Sequence, residues 1–410
     1  MPRVKPASQL SEAQFAALVD GLAVDPGRRE LLTELLHENH PVYAECGAAA
    51  VVRMRGWILL ALARAGVPDG ALIFLLEELD AGVDPYLVAA AARALRSYPR
   101  PTGTLAAFVM RALSNIRYRD EPVSFDAYGE YAMSAAGTSA VRELLATLAW
   151  LGPLARGVIP ELMLLRAQGG AGSRKLRIDI DRAIQAISGA DQAASSGSHA
   201  CCDAPSDSLP GTVSWTAGSR RDAGPIENVV LEDHDGNRIT FEEFFKGRPA
   251  IVVFFYTRCD NPMKCSLTVA KLARVQGLLD AQGLGERIQT AAITYDPAFD
   301  LPERLRIYAQ DRGVRLDARH RMLRALDNDA LRRHFELGVN FIESLVNRHR
   351  IEVYILDSQA RIAVSFERIH WDEREVVTHA IELLKEREPG AGQGQPRSCC
   401  SSSAAVGRAG

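Results

Sequence analysis

The sequence predicts a two-part chain, an all-α N-terminal half followed by an α/β C-terminal half. Three observations carry that expectation. Residues 1 to 188 are rich in alanine and leucine, in helical apolar patterns separated by short glycine or proline breaks. From residue 225 to 388 the signals alternate between short β-branched or aromatic runs and helical runs. Between them, residues 189 to 224 turn to Ser, Ala, Gly, Asp and Pro with little periodicity, the composition of a flexible linker, and residues 389 to 410 read as a similar tail. With 410 residues and 47% hydrophobic content, the chain can fill more than one core.

In the first half, helical runs span Val51 to Ala65 before Gly66, Pro85 to Tyr98 before Pro99, and Ser139 to Leu151 before Gly152-Pro153. Val-Arg or Ala-Arg followed by Ala-Leu recurs at helical spacing, as in Val52-Arg53 with Ala61-Leu62, Arg93-Ala94-Leu95, and Val141-Arg142 with Leu148-Ala149. Helix pairs recurring at roughly 40 residues are the signature of an α-solenoid, and this stretch resembles degenerate HEAT repeats. Such a solenoid would dock a protein partner or present a peptide substrate. Residues 117 to 138, with Tyr118, Tyr128 and Tyr131 among Asp120, Glu121 and Glu130, break the pattern and read as a surface loop. Cys46 reads as a small buried residue.

In the second half, Val229 to Leu231 and Ile239 to Phe241 read as strands around the turn Asp235-Gly236-Asn237. The unbroken run Ile251 to Tyr256 reads as a strand buried on both faces. The helix after it carries Leu267, Leu272, Val275 and Leu279. Then come a strand over Ile288 to Tyr295, a helix over Pro302 to Gln310 opened by its proline, and a helix over Asn328 to Leu337 capped by Asn328. Strands over Ile351 to Asp357 and Arg361 to Phe366 lead to a closing amphipathic helix over Glu373 to Glu386. That order is of the thioredoxin type.

Seven cysteines are present, and their odd number and spacing do not form a disulfide framework. Cys259 falls just past the central strand and Cys265 opens the next helix, where a helix N-terminus stabilises a thiolate. Five residues separate them, a spacing that permits soft-metal binding or a reversible disulfide. Two further pairs, Cys201-Cys202 in the linker and Cys399-Cys400 in the tail, are candidate accessory thiols for metal handling or thiol exchange. A net charge of −3 gives no basic excess for nucleic acid. No run of about 18 apolar residues appears and the basic N-terminus lacks an apolar core, so the expectations are no transmembrane segment and a cytoplasmic location.

A specific resemblance now enters. Gly247-Arg248-Pro249 through Cys259, the segment Tyr295-Asp296-Pro297-Ala298-Phe299-Asp300-Leu301-Pro302, and Asn347-Arg348-His349 before the Ile351 strand are similar to the Sco/SenC family, copper-binding thioredoxin-fold proteins that serve cytochrome oxidase assembly. The resemblance implies copper, Cu(I) or Cu(II), held by Cys259, Cys265 and His349, a donor set soft enough for that metal. The family has three residues between its cysteines and a proline after the second; this chain has five, and Ser266 follows. Where thioredoxin-like reductases place a cis-proline, this chain has His349. Asp296 and Asp300 are expected to hold the cysteine loop by hydrogen bonds. Met263 reads as packing, and His370 is a rival ligand read as structural. The expected function is copper delivery to, or electron exchange with, a partner docked by the helical half. The alternatives are a thiol-disulfide oxidoreductase, which needs no cofactor, a metal-dependent oxidase, or a redox or metal sensor and interaction scaffold.

Overall fold

The computed structural model describes residues 10–125, 137–168, 174–189, 212–214, 220–343 and 345–386. Cys201, Cys202, Cys399, Cys400, Tyr128 and Tyr131 lie outside these residues, as do most of the linker and all of the tail.

Nine α-helices are described in the first half: α1 (Glu12–Val24), α2 (Glu30–Glu34), α3 (Ala48–Ala65), α4 (Asp69–Ala81), α5 (Pro85–Leu95), α6 (Thr104–Ile116), α7 (Ala140–Leu151), α8 (Ile159–Gln168) and α9 (Arg174–Gly189). Their boundaries follow local chemistry. Ser11 and Gln14 form a reciprocal capping box at α1, and Asp84 caps α5 ahead of Pro85. The odd-numbered helices pack in series, α1 on α3, α3 on α5, α5 on α7 and α7 on α9, while α2 packs on α4 and α4 on α6. One apolar core runs through both rows, from Phe15 to Ile187. The continuous helical stretch Ala140–Gln168 is long and apolar enough, by length and composition, to cross a membrane, a property the run-length criterion did not pick out. Its Leu144, Leu145, Leu148 and Leu151 are buried in the helical core. Residues 117 to 125 leave the helical pattern, and a two-residue ladder of β1 (Pro122–Val123) with β2 (Thr138–Ser139) closes the base of that segment. Tyr118 is exposed there, with 83% of its surface open.

The second half is a mixed eight-stranded sheet flanked by helices. Its strands are β3 (Thr212–Ser214), β4 (Val230–Asp233), β5 (Arg238–Thr240), β6 (Ala250–Phe255), β7 (Gln289–Thr294), β8 (His320–Ala325), β11 (Glu352–Leu356) and β12 (Ile362–Glu367), in the order β3-β12-β11-β6-β7-β8-β4-β5. β6, β7 and β8 are parallel neighbours, and β11 runs antiparallel to β6 with Val353 opposite Val253. Every residue of β6, β7 and β11 is buried, so their apolar runs are the centre of the sheet. The helices are α10 (Phe241–Phe245), α11 (Leu267–Ala281), α12 (Pro302–Gln310), α13 (Asn328–Phe335) and α14 (Glu373–Glu386), with α11 and α14 packed on each other and on β6. A separate antiparallel hairpin, β9 (Val339–Ile342) with β10 (Leu345–His349), stands outside the sheet.

Three local expectations are corrected. Phe241 begins α10 rather than ending a strand, because Thr240 and Glu243 form a capping box that starts the helix there. Asp327, not Asn328, caps α13, its carboxylate accepting from the Ala330 amide at 3.1 Å. α13 also stops at Phe335, where Glu336 takes the left-handed conformation at φ 51°.

Candidate metal centre

The site is assembled where β6 ends. Its chain continues into Thr257, whose backbone N–H donates to Asp300 Oδ2 at 3.1 Å. The hydroxyls of Thr257 and Thr294 donate to the same carboxylate. Arg258 pairs with Asp296 and lies over the Phe299 ring. The two aspartates thus fix the two residues immediately before Cys259. Asn261 then accepts from the Met263 amide at 2.9 Å and starts a wide helical turn over Pro262–Ser266. Lys264 interrupts that turn with φ −109° and ψ −106°, so Cys265 precedes α11 rather than lying within it.

His349 arrives on the last residue of the β9–β10 hairpin, three residues ahead of β11, the strand beside β6. Its Nε2 lies 3.4 Å from Cys259 Sγ and 3.5 Å from Cys265 Sγ, and the three donor atoms lie within 4.8 Å of one another. Cys265 and His349 are buried and Cys259 is half-buried. The rings of Tyr256 and Tyr295 pack around the imidazole, with centroids 5.3 and 5.5 Å away. Cys259 faces a cavity of about 180 Å³ whose walls include Val52, Asp84 and Leu87 of the helical half.

The two thiols have opposite electrostatics. A hydrogen bond from Cys265 and then the imidazole of His349 push Cys259 down to about 3. Burial, followed by the neighbouring Cys259, pushes Cys265 well above the usual thiol range. The expected stabilisation of Cys265 as a thiolate by the helix N-terminus is outweighed: Cys265 lies within the wide turn, two residues ahead of Leu267, and burial decides its state. Burial also raises Asp300, against the opposing hydrogen bonds from Thr257 and Thr294.

Three donors bound to one ion at bond lengths of about 2.0 to 2.3 Å stand roughly 4 Å apart, and this triad has that spread. The other sequence candidates fall elsewhere. Met263 packs against the core of the second half. His370 stays outside the triad, with its backbone N–H donating to Asp80 Oδ2 at 2.6 Å. Cys46 is half-buried, with Sγ 3.7 Å from the Val42 carbonyl. The reading of the sequence missed Lys264, whose ammonium donates to the His349 carbonyl at 2.6 Å, and Glu77, the helical-half carboxylate that meets it.

A family model described as SCO1/SenC matches residues 226–384. The C-terminal half is a SCO1/SenC domain. It contains the whole triad, and the match begins only after the linker. A protein from Stutzerimonas stutzeri whose name describes it as copper-binding is 38% identical over 87 residues, 20% of this chain and 41% of its own. The chain thus spans about two fifths of that relative's length. Among solved structures, the SCO1/SenC domain is similar to a SCO1/SenC family lipoprotein from Bacillus anthracis, at 19% identity and TM-score 0.35 over 43% of this chain and 99% of that one. Arabidopsis thaliana ScoI with copper bound is 19% identical with TM-score 0.32, over 39% of this chain and 99% of that one. Yeast Sco1 with copper bound is 24% identical with TM-score 0.32, over 40% of this chain and 89% of that one.

Proposed function

We propose that this protein binds copper through Cys259, Cys265 and His349 and passes it to, or exchanges electrons with, a protein partner. The observation that carries the reading is the convergence of two sulfurs and one imidazole nitrogen within 4.8 Å, braced by Asp296 and Asp300. Two thiolates and an imidazole are a soft set suited to Cu(I) and able to hold Cu(II), and copper bound there would supply one-electron redox chemistry or a transferable ion. The chain's own part is to hold the donors, present one thiolate in advance, and release the remaining protons as the ligands are engaged. The likeness to copper-binding relatives agrees with this reading.

The helical half is, in the same proposal, a HEAT-like scaffold that meets the partner in the cytoplasm. Cys201, Cys202, Cys399 and Cys400 serve as accessory thiols. Elemental analysis after anaerobic purification tests the core of the reading. About one copper per chain is expected for wild type and for the variant with those four cysteines changed to serine, and none for Cys259→Ser, Cys265→Ser or His349→Ala. Metal-free wild type that refuses added copper sinks the proposal.

A second reading has its own support. A low-pKa thiolate at the mouth of a cavity beside a buried high-pKa thiol is the arrangement of a thiol-disulfide oxidoreductase. Turnover of a disulfide substrate by copper-free protein, with Cys259 as the attacking sulfur, would favour it.

A further inference from the structure

All three candidate ligands are tied, through a residue close to each, to one helix of the other half of the chain. On α4, Glu77 lies 3.0 Å from the ammonium of Lys264, the residue before Cys265. Glu78 pairs with Arg348, the residue before His349. The carbonyl of Ala81, one of the last in the helix and so lacking a partner within it, accepts from Asn261 Nδ2 at 2.8 Å. Asn261 in turn offers its own carbonyl to Cys259 Sγ at 3.6 Å. Lys264 closes the frame by donating to the His349 carbonyl.

The seam is buried, and the acidic excess of one side meets the cations of the other. The helical half contributes Glu38, Glu77, Glu78 and Asp80 with Arg55 and Arg111. The SCO1/SenC domain contributes Lys264, Arg348 and Arg368. Arg368 spans Glu38 and Glu77 at 2.8 Å each. Neither set is neutral alone, and a buried charge that loses its partner is strongly unfavourable, so docking and charge pairing are one event. Two of the residues that reach the helical half, Asn261 and Lys264, lie inside the five-residue stretch between the cysteines.

We propose that the last turn of α4 is a positioning element of the metal centre. Glu77, Glu78 and the Ala81 carbonyl hold the extended cysteine loop and the His349 arm in chelating register, and metal loading and docking of the helical half reinforce each other. This inference rests on the copper reading above. It gives the long loop a reason to keep its geometry: α4 supplies the order that a shorter loop would have by itself. By linkage, whatever docking adds to metal affinity, metal adds to docking.

The test uses the full-length chain as wild type, Glu77→Gln, Lys264→Gln and the double variant. Cu(I) affinity is measured by competition with a chromophoric chelator, and amide hydrogen exchange is followed with and without Cu(I). Each single variant is expected to weaken Cu(I) binding about tenfold, a common size for coupling between sites. The double variant should lose no more than the worse single one, because one interaction has been removed twice. In metal-free protein both single variants should speed exchange over residues 259–266. In wild type, Cu(I) should slow exchange at the Glu77–Gly82 end of α4, a response that a merely structural ion pair would not produce.

Unchanged affinity and unchanged loop exchange in both single variants would overturn the proposal. So would Cu(I) protection that stops at the SCO1/SenC domain. If Glu77→Gln fails to fold, Lys264→Gln carries the comparison, because its side chain is the less buried of the pair and borders the cavity. If wild type binds no copper, the function above falls on its own, and loop exchange in the metal-free variants still decides whether α4 positions the loop.

Discussion

Nδ1 of His349 lies 2.9 Å from the backbone carbonyl of Arg350, and that contact fixes which ring nitrogen meets the sulfurs. With Nδ1–H donating to the carbonyl, Nε2 is left facing Cys259 and Cys265. The peptide that accepts is itself anchored. Arg350 Nε donates to Glu352 at 2.7 Å, and the same carboxylate accepts from the Gly338 amide and the Tyr295 hydroxyl. A buried carboxylate in β11 therefore sets the angle of an imidazole that belongs to a different hairpin.

Thiol reactivity should separate the two cysteines. With Cys259 near 3 and Cys265 raised by burial, iodoacetamide should label Cys259 first in metal-free protein, at a rate almost flat above about pH 5. Changing Cys265 to Ala removes the largest cause of the depression. The labelling rate should then climb with pH through a higher midpoint, with His349 still holding it below the ordinary thiol value of about 8.5. A wild-type profile that already rises through that range would show that Cys259 is an ordinary thiol.

Asp300 is expected to be a stability residue as well as a brace. Asp300→Ala leaves the Thr257 amide and two hydroxyls without their acceptor in a buried site. A loss of about 2 to 4 kcal/mol follows from the cost of stranding such donors. Urea unfolding of the metal-free protein measures it directly. Asp300→Asn, which keeps one acceptor oxygen, should lose less.

Acid should destabilise the fold in two stages. Burial, with Arg221 beside His334 and with Lys271 and Arg111 beside His370, holds both imidazoles near 4. The unfolded chain therefore binds protons first, and stability present above pH 6.5 is lost as pH falls towards 4, by up to about 3 kcal/mol for each histidine. Below that, burial acts to raise Glu77, but Lys264, Arg368 and Arg348 outweigh it and hold the carboxyl at about 2. Its contribution is present above the ordinary carboxyl range and disappears as pH falls towards 2. Unfolding free energy against pH, for wild type beside a His334→Asn, His370→Asn variant, should show the first stage flattened and the second intact.

Much of the fold could be read from local pattern. The run Ile251 to Tyr256, the leucine spacing after Cys265, the proline at Pro302 and the amphipathic stretch at Glu373 each marked an element with its own periodicity. β8 escaped because His320, Arg321 and Arg324 break its apolar alternation while pairing inside the fold, Arg324 with Glu232 and His320 Nδ1 with the Thr290 hydroxyl at 2.8 Å. The β9–β10 hairpin escaped because Val339 to His349 is short and mostly polar. In the site, Cys259, Cys265 and His349 could be found through a motif that spans the domain. Lys264 and Glu77 could not, since they are 187 residues apart and the Glu77-Glu78-Leu79-Asp80 run reads as an ordinary solvated helix end. Only the tertiary arrangement buries it.

The acid–base seam along α4 ties the histories of the two halves together. A reversal of sign at Lys264, Arg348 or Arg368 can be accepted only with an answering change at Glu38, Glu77 or Glu78. Substitutions on the two sides must therefore arise in matched pairs. A SCO1/SenC domain without this helical partner would present three cations to water instead of to carboxylates, so recombination at the linker would separate what the interface has fitted together.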